Sequence, residues 1–143
     1  MRKNLTAVLM IGLAMSTAIF AFLWSAERNS RDDVRELAQS AAVHACTQFA
    51  SYQNSGDIGR YWEGVSAFWA FAQAYRAAFQ DTNGATNALI CNAVYGYLVD
   101  GPEINQPHIP DLVRILEALS KDIEDLSGHA QMLSLRNQYL HGT

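Results

Sequence analysis

Leu5 to Trp24 is a run of twenty residues without a charge. A helix rising about 1.5 Å per residue makes that run about 30 Å long, the thickness of a bilayer's hydrocarbon core. Trp24 at its exit suits the membrane interface. A cleaved signal sequence has a shorter apolar stretch of about 7 to 15 residues and a small-x-small exit. Here the exit reads Leu23, Trp24, Ser25, Ala26, with bulky Trp24 at the third position before a cut after Ala26. The expectation is therefore an uncleaved, single-pass transmembrane helix of the signal-anchor kind within residues 1–26, followed by a folded domain over 27–143. Arg2 and Lys3 precede the run, whereas Arg28, Arg31 and Arg35 follow it. The balance is close, and the reading adopted is amino terminus inside and domain extracytoplasmic.

All fourteen acids and eight of the ten basic residues lie from Glu27 onward, so the domain carries eight positive charges against fourteen negative, a net of −6. A surface of that sign repels phosphate backbones, and Lys121 is the domain's single lysine, which argues against nucleic-acid binding. Half of the residues are hydrophobic. A chain of that composition is folded rather than disordered, and a domain of this length can bury a core without disulfide staples.

Turn residues divide the domain into helical segments. The first runs from about Ser30 to Tyr52, with Val34, Leu37, Ala38, Ala41, Ala45, Phe49 and Tyr52 as its apolar face. Asn54, Ser55 and Gly56 end it, and Asp57 can cap a second helix, from about Ile58 to Gln80. In that helix Tyr61, Val65, Phe68, Ala72, Tyr75 and Phe79 alternate spacings of four and three, the seam of a bundle helix. A third helix is expected from about Thr86 to Val99, with Ala88, Cys91, Tyr95 and Leu98 on one stripe. Gly101, Pro102, Pro107 and Pro110 then mark a connection that cannot be helical throughout. A fourth helix starts near Pro110 and carries Leu112, Leu116, Leu119, Ile123 and Leu126, with Glu117 and Lys121 paired on its wet side. A short last helix follows from about His129 to Leu140.

No stretch alternates with period two, so strands are not indicated. The fold class expected is all-α: the transmembrane helix, then an antiparallel four-helix bundle with a short extra C-terminal helix. The two charge-poor helices are expected to form its interior hairpin.

Signatures of chemistry are missing. His44 and Cys46 lie about 200° apart around a helix and cannot share a metal. No Glu-x-x-His and no Cys-x-x-Cys occurs, which removes di-iron, zinc-ribbon, thioredoxin-like and haem-attachment readings. Asp122, Glu124 and Asp125 lack the spacing of a calcium loop and read as a solvated helix face. Ser127, Gly128 and His129 read as a helix boundary rather than a nucleophile and base. No catalytic residue, cofactor or metal is expected. Cys46 and Cys91, the two cysteines, could form a disulfide in an exported domain, with two separate thiols as the competing reading.

The second helix has more apolar surface than a bundle seam uses. Trp62 and Trp69 widen the seam, Ala67, Ala70, Ala74 and Ala77 strip polarity from the back, and no charge occurs between Glu63 and Arg76. The expected interaction surface comprises Trp62, Trp69, Ala70, Ala77 and Arg76, unless the chain covers it itself. The functional expectation is a membrane-anchored, non-enzymatic module acting by protein-protein binding or self-association. The alternative is an extracytoplasmic small-molecule domain with an aromatic cleft, which a cavity bordered by Arg76 and Asn92 would favour.

Overall fold

A computed structural model of the chain describes residues 30–79 and 82–141. The expected membrane span from Leu5 to Trp24 lies outside the described residues, among which no helix is long and apolar enough to cross a membrane. The chain divides into two compact units, Met1–Asp33 and Val34–Thr143. Of the first, residues 30–33 are described, and they are helical.

The second unit is all-α, without strands among the described residues. Its elements are α1 (34–55), α2 (Ile58–Ala78), α3 (Thr82–Leu98), the single-turn α4 (Pro102–Asn105), a 3₁₀ turn (Gln106–His108), α5 (Ile109–Lys121) and α6 (Leu126–His141). The first break follows from two residues. Gly56 takes the left-handed conformation at φ 70°, open to glycine at little cost, and the Asp57 carboxylate accepts from the Gly59 N–H at 2.8 Å to cap α2.

The five long helices pack in the cyclic order α1, α2, α3, α6, α5. Phe49 of α1 meets Tyr61 of α2 edge-on, with ring centroids 5.9 Å apart. On its other side α1 reaches α5, where the Gln39 amide donates to Ser120 O at 2.6 Å and the Cys46 thiol to Val113 O at 3.6 Å. Those two contacts advance along α1 while retreating along α5, so the pair is antiparallel. Helices α2 and α3, α3 and α6, and α5 and α6 complete the cycle. Asn87 and His129 line one cavity toward the start of α3 and α6, and Tyr97 stacks on Tyr139 at 4.7 Å toward their ends. These two helices therefore run parallel. The connection from Val99 to His108 lets α5 return before α6 sets out again, and Asn105, wholly buried, pins it by donating to Tyr97 O and Gly101 O.

The core is built where the seams converge. Tyr61, Val65, Phe68, Ala72 and Tyr75 of α2 are buried at the expected spacing, against Leu98 of α3, Leu112, Leu116 and Leu119 of α5 and Leu135 of α6. Three details differ from the sequence reading. On α1 the buried face runs through Ala38, Ala42, Ala45, Phe49 and Tyr52, and Leu37 is 61% exposed. Helix α5 stops at Lys121, because Asp122 is extended and its carboxylate accepts from the Glu124 N–H; Ile123 stays buried from the turn. The last helix is not a short appendage: it has 16 residues and buries Met132 and Leu135 between α3 and α5.

Candidate functional site: the outer face of α2 and α3

The charge-poor hairpin of α2 and α3 is not interior. Gln73 of α2 donates to Asn92 of α3 at 3.4 Å, the Asn87 amide donates to the Tyr75 hydroxyl at 3.3 Å, and Trp69 lies tilted on Tyr95 with centroids 4.7 Å apart. These contacts align the helices antiparallel and leave one side of each on the surface. Trp62 is 42% exposed and Trp69 43%, large fractions for the residue type that covers most area when buried.

The four alanines of the back divide. Ala67 and Ala74 are buried, whereas Ala70 and Ala77 are exposed beside the indoles. Arg76 is exposed on the same stripe, one helical heptad beyond Trp69. All five residues of the expected interaction surface therefore lie on the exposed side of α2. Leu89 of α3, 70% exposed, extends that surface, and sequence reasoning missed it. The available signal was a leucine lying off the stripe of Ala88, Cys91, Tyr95 and Leu98 on a helix with no charged side.

A cavity of about 330 Å³ opens between the helices, lined by Arg76, Phe79, Ala85, Ala88, Leu89 and Asn92. Its polar groups are the guanidinium of Arg76 and the amide of Asn92, set in an apolar rim. The two tryptophans do not line it. Trp62 lies near the start of α2 and Trp69 at its middle.

A second, more polar region lies where α3 and α6 begin. Two cavities, of about 200 and 330 Å³, share Asn83, Asn87 and His129. The buried His129 ring lies tilted against Tyr75 with centroids 4.9 Å apart, and its Nε2 donates to Ile123 O at 3.1 Å, since a carbonyl can only accept. Burial holds the imidazole pKa below the ordinary histidine value, so Nδ1 is an unprotonated acceptor near neutral pH. Arg35 lies over the Phe79 ring at 5.0 Å and pairs with Glu124 at 3.0 Å. The acids expected on a solvated helix face thus occupy a turn: Glu124 pairs with Arg35, and Asp125 caps α6 by accepting from Ser127 N and Gly128 N. Ser127 Oγ donates to that same carboxylate, so the Ser127-Gly128-His129 trio is a helix start. Among the described residues no three His, Cys, Asp or Glu groups converge to hold a metal.

The two cysteines are free thiols. The structure does not bring the two together: Cys46 sits on α1 facing α5, Cys91 is buried on α3, and α1 and α3 are not neighbours in the cyclic order. Burial pushes the Cys91 thiol up to about 12 and also raises that of Cys46, so neither is a poised nucleophile. Comparison with family models, with curated proteins and with solved structures finds no match.

Proposed function

We propose that this chain is a membrane-anchored helical interaction module, held in the bilayer by Leu5 to Trp24 with the bundle extracytoplasmic, and that it acts by docking a protein on the outer face of α2 and α3. The observation that carries this reading is the exposure of Trp62, Trp69 and Leu89 on a face whose helices are uncharged from Gly64 to Tyr75 and from Thr82 to Val99. Tryptophan is a favoured interface anchor, and a depletion of charge marks the centre of a docking patch. A photo-crosslinking side chain at position 70 of the full chain, in its native membrane, is expected to capture protein, and one at position 114 on α5 is not. Equal yields at the two positions would remove the reading.

A second reading has its own support. The cavity bordered by Arg76 and Asn92 is at the lower end of ligand-pocket size, about 300 Å³ and upward, and offers a cation and an amide to an apolar acid. Such a ligand would be lost with Arg76→Ala and kept with Ala70→Glu, the reverse of what a partner on the tryptophan stripe requires of position 70.

A further inference from the structure

Trp62, Trp69 and Arg76 are spaced by seven, so they form one stripe along α2, and all three are exposed. Trp69 stands midway between the other two. We propose that the protein docked on this face is a second copy of the chain, with α2 antiparallel to its counterpart about a two-fold axis at Trp69. The proposal rests on the docking reading above and names its partner.

A two-fold axis sets residues equally distant from it opposite each other. Trp69 of one copy then meets Trp69 of the other, and Arg76 of each meets Trp62 of the other. The guanidinium is delivered to an indole face twice, as a cation-π pairing. Glu63, the acid nearest the stripe, already pairs with Arg60 of its own helix at 2.9 Å and comes beside the other copy's Arg76, so the carboxylate nearest the contact meets cations only.

Charge selects the same face. The domain carries a net of −6 from Glu27 onward, and two such bodies repel wherever acids face acids. A symmetric interface places a patch against itself, so it needs a patch without acids near its axis. The sequence has none from Gly64 to Gln80 or from Thr82 to Val99.

Shape agrees with both. Ser66, Ala70 and Ala77 are exposed beside the indoles and leave room for the other copy's large side chains to lie across them. Trp69 is already braced on Tyr95, so little side-chain freedom is lost on docking.

The test uses the full chain in detergent micelles. Sedimentation of the unsubstituted chain is expected to show a dimer, weakened at least tenfold by Trp69→Ala and by Arg76→Glu with helix content unchanged; a monomer throughout overturns the proposal. Register is read with single cysteines in a Cys46→Ser, Cys91→Ala background, with copper phenanthroline as oxidant. Trp69→Cys is expected to crosslink to itself, and Trp62→Cys to crosslink with Arg76→Cys in a mixture but not with itself. Self-crosslinking at 62 without crosslinking at 69 overturns the proposed axis. Photo-capture at position 70 of a different protein alone, or within a single chain alone, overturns the second-copy partner; the former leaves the docking reading standing and the latter removes both.

Discussion

Tyr61, at the start of α2, and Tyr139, near the end of α6, carry buried hydroxyls that differ in what they meet. The Tyr61 hydroxyl donates to Leu98 O at 2.6 Å and ties α2 to the end of α3, while that of Tyr139 has no hydrogen-bond partner among the described residues. Deleting a satisfied buried hydroxyl loses its hydrogen bond and costs about 1 kcal/mol or more, whereas deleting an orphaned one removes a desolvation cost. Tyr61→Phe is expected to destabilise by about 1–2 kcal/mol, and Tyr139→Phe to be neutral or stabilising, read by urea denaturation. Acid response is also set by single residues, at the α5–α6 turn. Burial depresses His129, so the unfolded chain takes up the proton first: the contribution is complete above the ordinary value of 6.5 and declines as pH falls from there toward the folded value. Asp125 is depressed by its bonds to Ser127 and Gly128, so its contribution is present above the ordinary carboxylate value and is lost as pH falls through the folded one. Both signs make acid destabilising, in two separate windows. Urea midpoints are expected to drop between pH 7.5 and pH 5.5, a drop that His129→Gln abolishes and Asp125→Asn leaves in place.

At the scale of elements, the parts legible in the sequence are those decided by local chemistry. The α1–α2 turn is written in Gly56 and Asp57, and the α2 seam in large residues spaced four and three, because large side chains on one stripe admit one buried face. On α1 the face is made of alanines, and Ala41 and Ala42 compete on equal terms until the neighbouring helix decides. The split of Ala67 and Ala74 from Ala70 and Ala77 was hidden for the same reason: it depends on where α1 and α3 lie. The uncharged excess that singled out α2 was readable, but its extension over Leu89 required the α2–α3 pairing. Helix α5 posed the opposite problem. Its apolar repeat runs on past Lys121, yet the side chains of Asp122 and Asp125 bond to backbone N–H groups of the turn and outcompete another helical turn. The cap at Asp125 then starts α6 three residues before the expected His129 and makes it a full wall. Leu135 is 1% exposed, so Leu135→Ala is expected to cost about 2–4 kcal/mol, with Leu140→Ala, half exposed, well below that. Equal and small effects in chemical denaturation would mean that α6 is a dispensable tail.

The order of the helices around the molecule decides the state of its thiols. A ring of four helices would have set α1 and α3 diagonally opposite across one narrow core, where a bond between them is conceivable. Instead α2 separates them on one side, and α5 and α6 separate them on the other. Cys46 looks toward Val113 of α5, and Cys91 is sealed in the core stripe of α3. Bridging two cysteines needs Cα atoms within about 7 Å and Cβ atoms turned toward each other, which a helix facing α5 cannot offer to α3. An oxidising compartment would therefore leave both thiols reduced, and the fold gains no chain-entropy term from a closed loop. Denatured full-length chain, isolated without reductant, is expected to label at both cysteines to the same extent as chain treated with reductant. In the native state Cys91 is expected to stay unlabelled while Cys46 reacts slowly, because one thiol opens only with the core and the other is half-buried at the α1–α5 seam. If both label at one rate, matching global unfolding, α1 is held to the rest as firmly as α3 is; if Cys46 labels without delay, the α1–α5 contact is the part of the ring that opens first.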